Sequence, residues 1–183
     1  MPKEDVPLKI FDTQVKGLVN KLIDYEEELE DAARVMAQSI VSDGHLYWTG
    51  EKEMDGITLQ ACFGTDGISG SKRWSKEITL SEMDTLVIVS PSKHSSWAND
   101  VVDIVKDSGV SIIAVYSHEI IEENSDQSQT WVDTCDFAFF TGVDKGLVPM
   151  ESGARIGNPH LLIALQIYYQ LYFAVAEMLE EHD

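Results

Sequence analysis

The sequence predicts an α/β fold, a parallel sheet with helices on both faces, and three observations predict it. Short apolar runs alternate along the chain with segments of helical period. One run, Leu86–Val89, is unbroken and aliphatic, which suits a strand buried on both faces. No linker, repeat or low-complexity stretch divides the chain, so residues 1–183 read as a single domain.

The elements follow in order. Leu8, Phe11, Val15, Leu18, Leu22, Tyr25, Leu29, Ala32 and Met36 step by three and four, a heptad seam that Val19, Ile23 and Val35 widen. This helical segment covers about residues 8–42. One long helix fits it, and so do two helices meeting near Glu26–Asp31. It is expected to pack on its own domain and on a partner subunit. Gly44 ends it, and His45–Thr49 reads as the first strand. A modest helix carries Met54, Ile57, Leu59 and Ala61. Gly64, Gly67 and Gly70 form a loop and not a dinucleotide fingerprint, because they do not join a first strand to its helix. Short strands follow at Ser71–Trp74 and Leu86–Val89, and a helix starts at Trp97 and stops at Gly109. Val110–Tyr116 is a strand, 119–130 a polar helix or loop, and Phe137–Phe140 the last strand. A glycine-rich loop, 141–158, leads to Asn158 as N-cap, Pro159 in the first turn and a helix to about Glu180.

Between the strand at Leu86–Val89 and the helix at Trp97 lie Ser90, Ser92, Lys93, His94, Ser95 and Ser96. A hydroxyl-rich turn that opens onto a helix N-terminus offers backbone N–H groups, side-chain donors and the positive end of the helix dipole. Phosphate suits such a place. Serines that only cap the helix and fill the turn fit equally well.

The net charge of -19 argues against nucleic acid or an anionic membrane as partner. An anionic ligand then needs a local positive field, for which Lys93 and Arg155 are candidates. Two cysteines, Cys62 and Cys135, give no disulfide framework, and a reducing cytoplasm is expected. No CxxC, HExxH or dense His/Cys cluster is present, so neither a metal nor a cofactor is expected. The apolar stretch Leu161–Leu179 is interrupted by Gln166, Gln170 and Glu177, and reads as a core or interface helix before a membrane span.

Four features, in this order, resemble a sugar isomerase (SIS) domain of the phosphoheptose isomerase group. They are the Gly44–Gly50 strand, the aspartate-led strand ending in Ser90-Pro91-Ser92-Lys93-His94-Ser95, the strand ending at Ser117, and Glu151 followed by Gly157-Asn158-Pro159-His160. The resemblance covers nearly the whole chain. It implies a three-layer, flavodoxin-like sandwich whose five parallel strands run in the order 2-1-3-4-5, assembled as a homodimer or homotetramer. It implies a sugar phosphate as ligand, with Gly50, Ser90, Ser92, Lys93, His94, Ser95 and Ser96 as its binding residues. Phosphoheptose isomerases use a glutamate and a histidine to move a proton between adjacent carbons through an enediol. By position, Glu151 and His160 correspond here, and Glu51 and Glu53 lie nearer the family's usual glutamate.

The sequence also departs from that pattern. The family's first loop, Gly-x-Gly-x-Ser, is replaced by Gly50-Glu51-Lys52-Glu53-Met54, and Lys93 stands where the phosphate loop usually has glycine. Three functions therefore remain open: a sugar-phosphate isomerase, a phosphosugar-binding or sensing module without turnover, and an assembly protein with a decayed site.

Overall fold

The computed structural model describes residues 6–118 and 130–181. The polar stretch expected at 119–130 lies outside them except for Thr130. The N-terminal seam is two helices, not one. Helix α1 (Val6–Lys21) ends in a 3-10 turn, Leu22–Tyr25, and α2 (Glu26–Val41) follows. Three glutamates in the first turn of α2 face its positive dipole end. The seam also divides in use. Helix α2 buries Leu29, Ala32, Ala33, Met36 and Ala37, whereas α1 buries no residue. At the joint, Tyr25 packs edge-on against Phe139, and its hydroxyl accepts from Phe140 N at 3.4 Å.

Asp43 leaves α2 in the left-handed region, at φ 61°. Gly44 then passes so close to Met83 that a Cβ would lie 2.0 Å from its carbonyl oxygen. Strand β1 (Leu46–Gly50), a 3-10 turn (Lys52–Asp55) and α3 (Gly56–Phe63) come next, then β2 (Ser71–Arg73) and β3 (Thr85–Ser90). Asp84, 8% exposed, accepts from His45 N, Ser81 N and Ser81 Oγ, each at 2.9 Å. Its carboxylate thus pins the start of β3 beside the start of β1. Helix α4 (Ser96–Val105) leads through Gly109, at φ 79°, to β4 (Ser111–Tyr116). A 3-10 turn at Trp131–Thr134 precedes β5 (Phe137–Phe140). Asp136 repeats the device of Asp84, accepting from Ile112 N at 2.7 Å.

The five strands are parallel in the order β2-β1-β3-β4-β5. Alternate strand residues serve two cores, as the two-residue strand period requires. Trp48, Val87, Val89, Ile113, Val115 and Phe139 face the layer of α2, α3 and α5. Tyr47, Leu86, Ile88, Ile112 and Ala114 face α4 and Trp131. This is the three-layer sandwich expected of an SIS-type fold. Each large aliphatic side chain taken fully from water contributes about 1.5–3 kcal/mol.

The segment expected as loop from 141 to 158 holds a small antiparallel hairpin, β6 (Val148–Pro149) and β7 (Arg155–Ile156). No alternating apolar run announces it. Gly153 turns it at φ 84°, and the Arg155 guanidinium donates to the carbonyls of Gly146 and Leu147 at 2.7 and 3.0 Å. Helix α5 (His160–Glu180) closes the fold. Its cap is shifted by one from expectation. Pro159 occupies the N-cap position, with no side-chain cap bond, and Asn158 is exposed outside it. Proline has no N–H to place in the helix, and its carbonyl accepts from Ile163 N at 3.1 Å. By length and composition α5 could cross a membrane, but Ile163, Ala164, Ile167, Tyr168, Leu171 and Val175 are buried in the core against α2 and the sheet.

Candidate functional site

The strand order reverses between β1 and β3, where Gly50 stands opposite Val89. In open parallel sheets the crevice beyond such a point is where ligands bind. The loops after β1, β3 and β4 meet here. Glu51 N donates to Val89 O at 2.9 Å, Ser117 N to Ser90 O at 3.2 Å, and Lys93 N to Ser117 O at 3.1 Å. Gly50 is required for a steric reason: a Cβ would lie 2.5 Å from Asp55 Cα, because the 52–55 turn folds back over it.

The serines form a cradle, and a carboxylate sits in it. Ser90 Oγ donates to Glu51 Oε2 at 2.6 Å, and Ser95 Oγ donates to the same oxygen at 2.7 Å. Ser95 Oγ also accepts from Ala98 N at 3.0 Å, so it caps α4 while holding Glu51. Ser92 N donates to Ser90 Oγ, and His94 N to Ser92 Oγ. The backbone donors of Ser92, Lys93 and His94 are therefore consumed inside the loop. The N–H groups of the first turn of α4, at Ser96 and Trp97, have no intrahelical partner. Ser96 itself is exposed, whereas Ser90, Ser92 and Ser95 are buried.

A positive corner borders the cradle. Burial, reinforced by the Lys93 and His94 charges, holds the His118 imidazole below its ordinary value, with Asp144 opposing. His94 Nδ1 is buried without a hydrogen-bond partner. Beneath this corner, Ser117 and Thr141 share a buried hydroxyl–hydroxyl bond, and Thr141 Oγ1 accepts from Val143 N at 3.2 Å. Trp131 underpins the loop from the other layer, its indole N–H donating to Ser92 O at 3.0 Å. A capping box from Thr130 and Asp133 fixes the turn that presents this tryptophan.

The candidate residues thus divide. Gly50, Ser90, Ser92, Lys93, His94 and Ser95 come together at the switch point, with Ser96 at the mouth. Glu151 is exposed at the turn of the β6–β7 hairpin, which packs on α1, and shares no hydrogen bond or ion pair with the cradle among the described residues. His160 is 7% exposed at the start of α5. That helix end packs on the loop after β1, since a Cβ on Gly56 would meet Leu161, and the 52–55 turn touches both α5 and β3. Glu53 is exposed. Arg155 is committed to the hairpin's own carbonyls, so it does not supply the field expected of it. Sequence reasoning did not select His118, Thr141 or Trp131. The first two could have been found as polar residues directly after apolar strands, as Ser90 was. Among the described residues, no group of three or more His, Cys, Asp or Glu side chains is placed to hold a metal.

The family described as "Domain of unknown function (DUF2529)" matches residues 7–179. The chain belongs to that family. A relative of similar length, described as the uncharacterized protein YwjG of Bacillus subtilis (strain 168), is 27% identical over 179 residues. The match covers 96% of this chain and 99% of the relative. Among solved structures, E. coli CFT073 c3406, in complex with a sugar phosphate, aligns at TM-score 0.67 and 16% identity, over 98% of this chain and 94% of that one. The sugar isomerase domain of an RpiR transcription factor from Sphaerobacter thermophilus aligns at TM-score 0.59 and 14% identity, over 97% and 99%. At such identities these likenesses establish the fold that DUF2529 shares with SIS proteins.

Proposed function

We propose that this chain is a cytoplasmic, homo-oligomeric, phosphosugar-binding SIS domain whose ligand phosphate sits in the Ser90–Ser96 loop. One observation carries the reading: the buried hydroxyls of Ser90 and Ser95 already converge on an anionic oxygen, that of Glu51, at the topological switch point. Lys93, His94 and the free N–H groups of α4 add positive potential in a chain of net charge -19. The sugar-phosphate complex of c3406, a protein of the same fold, supports a sugar phosphate as the ligand class.

Within that reading, turnover is an aldose–ketose isomerisation of the phosphoheptose isomerase type. A base removes the proton from the carbon beside the carbonyl, an enediol forms, and the proton returns to the neighbouring carbon while an acid protonates the oxygen. His160, buried beside the loop after β1, takes the acid role, and Glu151 the base role only if ligand or a partner subunit brings it to the site. A non-catalytic sensor is the second reading. It is favoured by the exposed position of Glu151 and by a fold shared with the sugar isomerase domain of a transcription factor.

Thermal unfolding against a panel of sugar phosphates, with inorganic phosphate as control, tests the binding. A ligand at about a hundred times its dissociation constant adds roughly 2.7 kcal/mol, a rise of several degrees for a chain of this size. Ser92→Ala with Lys93→Ala should abolish the shift. A panel in which no sugar phosphate exceeds phosphate would overturn the reading. Exchange of substrate C–H protons with solvent, lost in His160→Ala, separates isomerase from sensor.

A further inference from the structure

Glu51 stands apart from every other carboxylate of the described chain by what it occupies. It is carried on the residue after Gly50, and its Oε2 takes both hydroxyl donors of the cradle, from residues 39 and 44 positions away. Those donors are not spare. Ser90 and Ser95 are buried, and Ser95 simultaneously caps α4, so their geometry is set by the helix and the strand and not by Glu51. A phosphate bound at this loop would need the same two hydroxyls. Two anions cannot share them, because like charges a few ångströms apart repel strongly where water is scarce.

We infer that Glu51 is an internal competitor of the ligand's phosphate: its carboxylate fills the cradle of the empty protein and is displaced when a phosphorylated ligand binds. This rests on the phosphosugar-binding reading above and adds a rule of selectivity to it. The expelled carboxylate must find new donors. Inorganic phosphate offers few at neutral pH, whereas the hydroxyls of a sugar phosphate can satisfy it beside the site. Glu51 therefore disfavours bare phosphate and favours polyol phosphates. It is half-buried on the loop between β1 and the 52–55 turn, so a side-chain rotation accomplishes the exchange without moving a strand.

Titration calorimetry with inorganic phosphate and with a panel of sugar phosphates, on wild type, Glu51→Gln, Glu51→Ala and Glu53→Gln, tests the inference. Glu51→Gln keeps the shape and a weaker acceptor, so it guards against failure of Glu51→Ala to fold. Glu53→Gln removes the same charge from an exposed neighbour and reports the general field alone. The expected result is at least a tenfold gain in phosphate affinity in both Glu51 variants and less than twofold in Glu53→Gln. The preference for sugar phosphate over inorganic phosphate should shrink with the gain. If a sugar phosphate binds wild type and the Glu51 variants bind it and phosphate no tighter, the inference is overturned and the binding reading stands. If wild type binds no sugar phosphate but the Glu51 variants bind phosphate, competition is upheld and the phosphosugar reading falls. Binding by none of the proteins overturns both.

Discussion

Burial and two cationic neighbours act on the same imidazole at the rim of the cradle. His118 is held below its ordinary value of 6.5, first by desolvation and then by Lys93 and His94. The sign of the consequence follows from linkage. The unfolded chain takes up this proton near pH 6.5, while the folded chain resists until a lower pH. Above 6.5 the group has no effect on stability; as pH falls below it, the unfolded state binds more protons and stability declines. His118→Asn should flatten the acid limb of a plot of melting temperature against pH. In wild type, the imidazole resonance followed by NMR should titrate below 6.5. A phosphate analogue bound beside Lys93 should move that titration upward, since an anion offsets the neighbouring charges. A titration at or above 6.5 without ligand would show that the corner is not positive.

Helix α4 shows how a structural role and a binding role can fall on one atom. Ser95 Oγ accepts from Ala98 N and donates to Glu51. An alanine at an N-cap costs about 0.5–2 kcal/mol. Ser95→Ala should therefore lower the melting temperature by roughly 2–6 °C for a chain of this length, measured by calorimetry without ligand. Ser96→Ala, one residue on but exposed, should change stability by less than about 0.5 kcal/mol. Equal effects at both sites would mean that the cap bond contributes nothing. The sequence offered two meanings for these serines, helix cap or anion site, and at Ser95 the structure makes the first a fact while leaving the second compatible with it. Helix α5 teaches the opposite lesson. Asn158-Pro159 has the composition of a cap, yet the carbonyl of Pro159 itself begins the helix, and composition alone does not settle an offset of one residue.

At the scale of the molecule, α1 is the unfinished part. It buries none of its residues, and Leu8 is 57% exposed, as Ile23 just beyond it is 70% exposed. A heptad helix with its seam half used is expected to meet another subunit. We therefore expect sedimentation to report a dimer or tetramer at micromolar concentration. Leu8→Glu with Ile23→Glu should give monomers with nearly unchanged protomer stability, because both side chains face outward. A wild-type monomer, or an oligomer that survives both changes, would remove α1 from the interface. Raised salt should strengthen assembly, since each protomer carries a net charge of -19 that repels its partner.

What the sequence by itself determined was local. Strand and helix periods sit in neighbouring residues, so the five strands, the helix after Ser96 and the loops beyond Gly50, Ser90 and Ser117 were legible in advance. The order of the sheet came from resemblance, and its register came from the structure. The tertiary structure alone decided that Glu51 reaches Ser90 and Ser95, that Trp131 supports Ser92 from 39 residues away, and that Glu151 stands on a hairpin against α1. Those contacts join loops distant in sequence. They exist only because adjacent parallel strands deliver their carboxyl ends to one edge, and no periodicity within a single segment encodes which side chain arrives there first.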